Sequence, residues 1–400
     1  MNNFTYSVVE DTEERKKLAV LTQYAFYPSP DDLKIQKLYF DYSKDCFIVA
    51  VYPEDDPQTP VATATSIPMT QNLRGKIFSM DGIANVATDP AYRRKHLTAT
   101  MMQMILENDK KTGLVISTLY PFKESFYARF GYITLPQVRI ATLSLATLTP
   151  LLDDKAPLLF EKVDYKENFH LLYKFLIENQ KHMHGMCLKS LETMKLLPEL
   201  QNSHLVFMYD DNKNIEGCLV YRTKGFQSDF LISTFLYLNS HAKYNLLRFL
   251  ALHIDQFYTV KFPLHPAEHP ENWLNDLRIQ IANRDWVPSA MARVIDVEGL
   301  QDLPVGTGTV VIKIEDANCE WNNNVYEFTS SLGKLSITKK ENNVNSDCIL
   351  TIEGLTALVY GWYVLEDFVY RNWIKETKVE TINKLKELFP INLPYMYDRF

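Results

Sequence analysis

The stretch from Met80 to Tyr132, MDGIANVATDPAYRRKHLTATMMQMILENDKKTGLVISTLYPFKESFYARFGY, decides how the first part of the chain folds. It begins with a short apolar run, Ile83 to Thr88, which is ended by an Asp-Pro pair and is typical of a buried strand. Apolar residues then recur every four positions, at Leu97, Met101 and Ile105. This spacing places them on one face of a helix. The sequence therefore predicts a strand followed by an amphipathic helix.

A basic turn, Arg93-Arg94-Lys95, lies between this strand and this helix, and Gly113 is expected to end the helix. Cations are mildly unfavourable at the start of a helix unless an anion binds there. The backbone N–H groups at a helix start are free to donate to such an anion. The arrangement predicts a phosphate site, and spacing alone leaves a solvated basic turn as an equal alternative.

The second half of the stretch adds an apolar strand, Leu114 to Leu119, and the aromatic segment FYARFGY from Phe126 to Tyr132. This segment places the phenol of Tyr127 close to Gly131, which permits a sharp turn. A chain with 23 tyrosines offers a second interpretation, in which Tyr127 is a core aromatic residue without a chemical role.

The order VATDPAYRRKHLTA, helix, strand and FYARFGY resembles the acetyl-CoA-binding core of the GNAT acetyltransferase superfamily, and its YxRFGY form resembles the Eis (enhanced intracellular survival) branch. The resemblance implies that Tyr127 is the general acid. It also implies a cofactor-binding set, with the pantetheine strand first and the pyrophosphate turn second: Val86, Ala87 and Thr88, then Arg93, Arg94, Lys95, His96, Leu97, Thr98 and Ala99.

One position departs from the superfamily's pattern, because His96 stands where the turn has a consensus glycine, and Thr98 stands where a second small residue is usual. Glycine lets the main chain approach a ligand without a Cβ atom in the way. We therefore expect looser contact with the phosphates, with His96 either pointing away from the cofactor or adding a side-chain donor.

The fold class expected from the pattern and the resemblance is α/β and α+β, with two tandem GNAT-like mixed-sheet domains followed by a sterol-carrier-protein-like α+β domain. The predicted boundaries are 1–147 for the catalytic GNAT domain, 148–287 for a degenerate GNAT-like domain, and 288–400 for the C-terminal domain. Strands at Lys76 to Met80 and Ile140 to Leu145 are expected to complete the first unit with the Ile83 strand. An unrelated α/β domain remains the alternative for the middle unit.

The chain ends in LPYMYDRF, and Eis-type enzymes end in an aromatic residue whose terminal carboxylate reaches back into the active site of the first domain. The resemblance implies that the carboxylate of Phe400 is the general base. Chain ends are usually frayed unless something ties them down. Tyr395, Met396 and Tyr397, directly before the end, favour docking of the tail over fraying.

These features together predict an N-acetyltransferase that uses acetyl-CoA as co-substrate and acetylates primary amines by direct transfer in a ternary complex. The resemblance implies aminoglycoside- or polyamine-like acceptors, a second domain that walls the acceptor cleft, and a homo-oligomer, a hexamer in that family. Acetylation of protein or peptide lysines is the close alternative. From another class, a non-catalytic carrier of lipid or acyl-CoA stays open.

Composition excludes other classes. The 400-residue chain has a formal net charge of −7, so no basic field favours nucleic acid as a partner. Its start lacks a signal-peptide layout and no stretch is long and apolar enough to span a bilayer, which predicts a cytoplasmic protein. No metal site is expected, because the five cysteines are scattered and the pairs His182/His184 and His265/His269 lack further ligands at a recognised spacing.

Overall fold

The computed structural model describes residues 3–26, 45–195, 203–223, 225–226, 228–283, 288–341 and 343–397. Phe400 and the proline-containing segment Tyr27 to Pro30, which the sequence predicts to break the first helix, lie outside these described residues. In chain order the strands are β1 (Phe4–Val8), β2 (Phe47–Pro53), β3 (Ala62–Leu73), β4 (Lys76–Thr88), β5 (Ile116–Leu119), β6 (Ile133–Thr134), β7 (Arg139–Ser144), β8 (Phe160–Val163), β9 (Cys187–Lys189), β10 (His204–Tyr209), β11 (Ile215–Thr223), β12 (Phe230–Tyr237), β13 (Thr259–Leu264), β14 (Ile279–Asn283), β15 (Met291–Val294), β16 (Thr309–Glu315), β17 (Val325–Ser331), β18 (Lys334–Lys340), β19 (Cys348–Thr351) and β20 (Ile374–Lys375).

The α-helices are α1 (Thr12–Phe26), α2 (Leu97–Thr112), α3 (Glu124–Ala128), α4 (Tyr165–His182), α5 (Leu191–Lys195), α6 (Ser240–Ala251), α7 (Ile352–Tyr360), α8 (Asp367–Tyr370) and α9 (Val379–Leu388). The chain divides into two compact units. The first combines Met1–Pro136, Met183–Leu196 and Pro288–Phe400, and the second combines Gln137–His182 and Leu197–Val287.

The first unit contains a large mixed sheet in the order β1-β2-β3-β4-β5-β15-β6, with β9 paired to β3. Its strands are antiparallel to their neighbours except at β4 and β5, which run parallel. Helix α2 packs on the sheet through the apolar face that the sequence predicts, since Met101 and Ile105 are fully buried. Gly113 ends this helix with a left-handed φ of 81°, which confirms the predicted stop.

The same unit holds a second sheet in the order β18-β17-β16-β19-β20. It packs with α7, an almost wholly apolar helix whose side chains from Leu355 to Tyr360 are buried. Ile67 and Met80 of the first sheet share one hydrophobic core with residues of α7 and of this second sheet. The two sheets of the unit are therefore joined by a continuous core.

The second unit is built on a seven-stranded sheet in the order β14-β7-β13-β12-β11-β10-β8, in which only the β12 and β13 pair, among the described strands, is parallel. Helix α6 buries Leu246 and Leu250 in the core of this unit. Asn239 begins that helix by accepting a hydrogen bond from the backbone N–H of Ala242 at 2.8 Å.

Two predictions about the first unit are wrong. The strand at Ile140 to Leu145 does not complete the first sheet, because β7 pairs with β13 and β14 in the second unit. The first sheet instead takes β15, far along the chain, between β5 and β6. The strands predicted separately at Lys76 and Ile83 form one long strand, β4, because Asp81-Gly82 continues the pairing with β3 instead of breaking it. The predicted domain boundaries stay a prediction.

Candidate active site

The candidate site begins where β4 and β5 part. The parallel register runs from Met80 opposite Ile116 to Ile83 opposite Leu119, where β5 ends, while β4 continues to Thr88. Beyond Ile83, the β5 side of β4 therefore has no strand partner in the described part of the chain. An open strand edge presents unpaired backbone N–H and C=O groups. A ligand with amide groups can pair with this edge.

A bulge lies within this open segment. Asn85 adopts a left-handed φ of 53°, and the register of β4 with β3 shifts between Thr63 and Thr65. Bulges bend a strand and redirect its groups. The segment that the resemblance assigns to pantetheine follows directly, with Ala87 buried and with Val86 and Thr88 half-buried.

The basic turn follows a short 3-10 turn that begins at Asp89, whose carboxylate accepts from the backbone N–H of Ala91 at 2.8 Å. The turn that comes next, residues 93 to 96, is exposed along its whole length. The Arg93 Nε donates to the Thr88 carbonyl at 3.4 Å, which ties the turn to the end of the strand. The Lys95 ammonium lies 4.8 Å from the ring centre of Tyr92, a cation–π contact.

His96 has a left-handed backbone conformation, which glycine adopts without strain. Its φ is 61°, and Arg94 two residues earlier has a φ of 64°. Left-handed backbone costs an L-residue about 1–2 kcal/mol, so the turn is strained at two residues that are not glycine. The His96 side chain makes no capping hydrogen bond. The Ala99 N–H donates to the His96 carbonyl at 3.0 Å, whereas the N–H groups of Leu97 and Thr98 have no partner within the helix and remain available to an anion.

The first residues of α2 make different contacts with the rest of the site. Leu97 is 3% exposed and packs into the core, so its side chain is not open to a ligand. The Thr98 hydroxyl lies 3.5 Å from that of Thr88, which links the helix start to the strand end. Val86 and Ala99 pack against the apolar cluster that contains Leu97 and Tyr127. The fold thus brings the strand, the turn and the tyrosine together.

Tyr127 lies on α3 and is 3% exposed. Its ring centre is 5.0 Å from that of Phe126, 5.8 Å from that of Phe122 and 6.3 Å from that of Tyr132, with the rings edge to face in each pair. Burial raises the pKa of the Tyr127 phenol above its ordinary value. The phenol therefore keeps its proton near neutral pH, and its role is that of a donor.

Two carboxyl groups are buried in the core of the first unit, and neither is among the site residues expected from the sequence. Asp81 of β4 and Asp109 of α2 are both fully buried, and the Ser66 hydroxyl donates to Asp109 at 3.1 Å. Burial raises the pKa of Asp109 to about 7, and burial together with Asp109 raises that of Asp81 well above its usual range. The signal was present, because Asp109 continues the four-residue series of apolar positions that ends at Ile105.

The C-terminal segment packs against the first unit as far as the structure describes it. Tyr395 and Met396 are buried, and the Tyr395 N–H donates to the His184 carbonyl at 2.8 Å. The Gln71 amide lies 3.1 Å from the Met396 sulfur. The prediction that this segment is docked is confirmed for these residues, whereas the role of Phe400 stays a prediction.

No group of three or more His, Cys, Asp or Glu residues in the described ranges could hold a metal ion. His184 packs in the core: its Nδ1 accepts from the Arg74 backbone at 3.0 Å and its Nε2 faces the Tyr360 carbonyl at 2.9 Å. Within the described ranges, none of the helices combines the length and the apolar character that a membrane crossing requires.

Three regions of the chain match known domain families. Residues 9–134 and residues 191–294 each match an acetyltransferase (GNAT) domain, and residues 297–397 match a sterol carrier protein domain. None of the curated proteins matches the chain.

Solved structures share the fold over the full length. A probable N-acyltransferase from Enterococcus faecalis V583 superposes with a TM-score of 0.84 at 19% identity, covering 100% of both chains. A GCN5-related N-acetyltransferase from Anabaena variabilis ATCC 29413 gives 0.82 at 19% identity, and Eis1 from Mycobacterium abscessus gives 0.78 at 13% identity, each again over 100% of both chains. At these identities the likeness speaks for the fold.

The two matched acetyltransferase domains make the protein an acyltransferase of the GNAT type, and they confirm the predicted fold class of tandem mixed-sheet domains with a sterol-carrier-like domain after them. The chain therefore carries two GNAT domains followed by a sterol carrier protein domain, and it shares its fold with Eis1 along its whole length.

Proposed function

We propose that this acyltransferase moves the acetyl group of acetyl-CoA to a primary amine, with aminoglycoside- or polyamine-like molecules as acceptors. GNAT domains in general use acetyl-CoA as co-substrate. The observation that carries the proposal is the open edge of β4 from Ala84 to Thr88, which leads directly to the basic turn and the start of α2.

The residues around this edge fit coenzyme A. The main chain of Val86, Ala87 and Thr88 offers hydrogen-bonding groups to the amides of the pantetheine arm. Arg93 and Arg94 are exposed beside the free N–H groups of the helix start, where a pyrophosphate would neutralise their charge. Lys95, His96, Leu97, Thr98 and Ala99 complete the proposed turn, with Leu97 contributing through its main chain alone.

Direct transfer of the acetyl group needs no intermediate bound covalently to the enzyme. The Phe400 carboxylate takes a proton from the acceptor ammonium, and the free amine attacks the thioester carbonyl, forming the N–C bond. The C–S bond breaks, the leaving thiolate takes the proton of Tyr127, and the nitrogen of the new amide gives its second proton to the tyrosine, while Phe400 releases its proton to water. A thiol has a pKa of about 8.5, below that of a tyrosine, and burial raises the Tyr127 pKa further, so Tyr127 keeps its proton until the thiolate leaves and recovers one from the more acidic nitrogen.

The net charge of −7 suits polycationic acceptors, which supports amines of the aminoglycoside or polyamine class. Acetylation of protein or peptide lysines is the alternative acceptor class. The hexameric assembly implied by the Eis resemblance and the cytoplasmic location stay predictions, the former testable by light scattering.

The test is coenzyme A release, followed with a thiol reagent, for untagged protein against aminoglycosides, polyamines and lysine peptides. We expect release that depends on one acceptor class. Tyr127→Phe and a short C-terminal extension should each lower kcat about 10²-fold or more, with unchanged binding of acetyl-CoA.

Tyr370→Phe is the matched control, because Tyr370 is 88% exposed and loses the same hydroxyl. Full activity of the extended protein would overturn the role of the terminal carboxylate alone. Full activity of Tyr127→Phe would overturn the role of Tyr127 as general acid. Failure to bind acetyl-CoA would overturn the proposal as a whole.

A pocket in the sterol-carrier-like region supports a second candidate, binding of a lipid or acyl chain in addition to catalysis. It has a volume of about 470 Å³ and is lined mostly by apolar residues, including Leu358, Leu365, Phe389 and Ile391. Titration with a fluorescent fatty acid, compared between the natural protein and Leu358→Trp, tests it. Binding that Leu358→Trp does not weaken would place the fatty acid elsewhere.

A further inference from the structure

The carboxyl end of α3, the short helix that carries Tyr127, is held by side chains from distant parts of the chain. The Tyr127 carbonyl accepts from the Phe130 N–H at 2.9 Å, within the local turn. The Ala128 carbonyl accepts from the Gly131 N–H at 3.0 Å. The carbonyls of the two residues that follow the helix accept from side chains instead: Arg129 from the Asn318 amide at 3.1 Å, and Phe130 from the Arg293 Nη1 at 2.5 Å. Carbonyls at a helix end need such partners, because the helix itself supplies none.

Arg293 is anchored on its other side. It is fully buried on β15, and its Nη2 donates to the Asp316 carboxylate at 2.6 Å and lies 3.1 Å from the Cys319 sulfur. A buried guanidinium with a carboxylate partner and several acceptors has few alternative positions. The donor to the Phe130 carbonyl is therefore fixed.

Asp316 also orders the loop that provides Asn318. Its Oδ1 accepts from the backbone N–H groups of Asn318 at 3.0 Å and Cys319 at 3.1 Å, and its Oδ2 accepts from the Asn322 amide at 3.0 Å. The two caps on the end of α3 thus depend on one carboxylate, which lies within the region that matches a sterol carrier protein domain.

The turn after the helix has no room to shift toward these partners. Gly131 has a left-handed φ of 81°, and a Cβ atom placed on it would lie 2.8 Å from Ile352 and 3.2 Å from the Arg293 Nη1. The turn is packed directly against Arg293 and the start of α7.

We propose that Asn318 and Arg293, organised by Asp316, are positioning residues that hold Tyr127 in its donor geometry, so that a loop of the sterol-carrier-like domain serves the chemistry of the acetyltransferase domain. This inference rests on the proposed acid role of Tyr127. Asn318 is the residue to test, because it is half-buried and makes one of the two caps without carrying the buried charge.

Asn318→Asp keeps the shape of the side chain and removes its donor. A misplacement of about 1 Å at a reacting group costs up to about 10²-fold in rate. We expect kcat to fall about tenfold, with the KM for acetyl-CoA and the thermal midpoint unchanged. Arg293→Lys, which retains the charge but not the fork of donors, is expected to lower kcat further.

A double-mutant cycle with Tyr127→Phe separates positioning from a general structural effect. If Asn318 acts through Tyr127, then Asn318→Asp has no further effect in the Tyr127→Phe background. An equal loss in both backgrounds, or no loss in the natural background, overturns the inference. If Tyr127→Phe alone leaves kcat unchanged, the proposed acid fails, and this inference fails with it.

Lys340→Ala is the control from the same domain, because it removes a partly exposed ion pair with Glu327 on the outer strands. It should leave kcat unchanged. Should Asn318→Asp lower the thermal midpoint, Asn318→Ala, which adds no charge, replaces it in the cycle with the same criteria.

Discussion

The carboxyl groups of Asp81 and Asp109 lie next to one another in the core of the first unit, between β4 and α2. In the part of the chain that the structure describes, neither oxygen of Asp81 has a hydrogen-bond donor. Two buried carboxylates cannot both ionise at low cost. A proton shared between the two groups would supply the missing donor and remove one charge.

This pair predicts how stability depends on pH. The folded protein keeps protons that the unfolded chain loses above its carboxyl pKa of about 4. The free energy of unfolding should therefore fall as the pH rises from about 4 through the Asp109 pKa of about 7, and fall further as Asp81 ionises. Thermal midpoints between pH 5 and pH 9 measure this slope.

Asp109→Asn should flatten the slope, because it removes one of the two ionising groups. The control is Asp56→Asn, which changes an exposed aspartate whose pKa is lowered by hydrogen bonds and which is already ionised above pH 5. Equal slopes in the natural protein and in Asp109→Asn would contradict a shared proton.

Replacing the strained histidine of the basic turn should improve the turn. His96→Gly relieves a left-handed residue and removes a Cβ atom from the proposed pyrophosphate path. We expect an increase in stability of up to about 1 kcal/mol and a several-fold lower KM for acetyl-CoA. Lys213→Gly is the control, since Lys213 has a φ of 63° in the second unit. Lys213→Gly should raise the stability of the protein without altering the KM for acetyl-CoA. An unchanged KM for His96→Gly would argue against contact between the cofactor and the main chain at residue 96.

Docking of the C-terminal segment depends on a glycine. A Cβ on Gly185 would lie 2.6 Å from the backbone nitrogen of Tyr395 and 2.8 Å from Pro394. Gly185→Ala should therefore displace the tail, speed carboxypeptidase digestion and lower kcat about tenfold or more if the chain end is the base. Gly113→Ala is the control, because Gly113 has a similar φ and a Cβ atom placed on it would meet no other atom within 4 Å. It should add backbone strain without faster digestion and without a lower kcat. Slow digestion of Gly185→Ala would show that the tail tolerates the change.

The buried ion pair predicts a large loss of stability. Asp316→Asn leaves the Arg293 charge uncompensated in the core, which typically costs about 3–5 kcal/mol. Glu315→Gln, at the adjacent residue, removes a partly exposed pair with Lys375 and should cost no more than about 1 kcal/mol. Urea denaturation of both variants gives the comparison. Similar losses would mean that Arg293 finds another partner.

Local pattern was enough to predict α2, its stop at Gly113 and the basic turn before it. Each of these depends on residues that are neighbours along the chain. The repeat of apolar positions defines the helix, and the end of a helix favours a residue that accepts a left-handed φ. Local pattern fails at Asp81-Gly82, because an acidic residue and a glycine are typical of a turn, whereas here both pair with β3.

The sequence by itself determined the class of fold, the candidate turn and the candidate tyrosine, because these are carried by short motifs whose geometry is fixed by adjacent residues. Only the tertiary structure decided that β15 enters the first sheet, that Asp81 meets Asp109, and that Asn318 and Arg293 cap the helix of Tyr127. Each of these joins residues from separate elements. Such contacts are chosen by how the whole core packs, which no local pattern records.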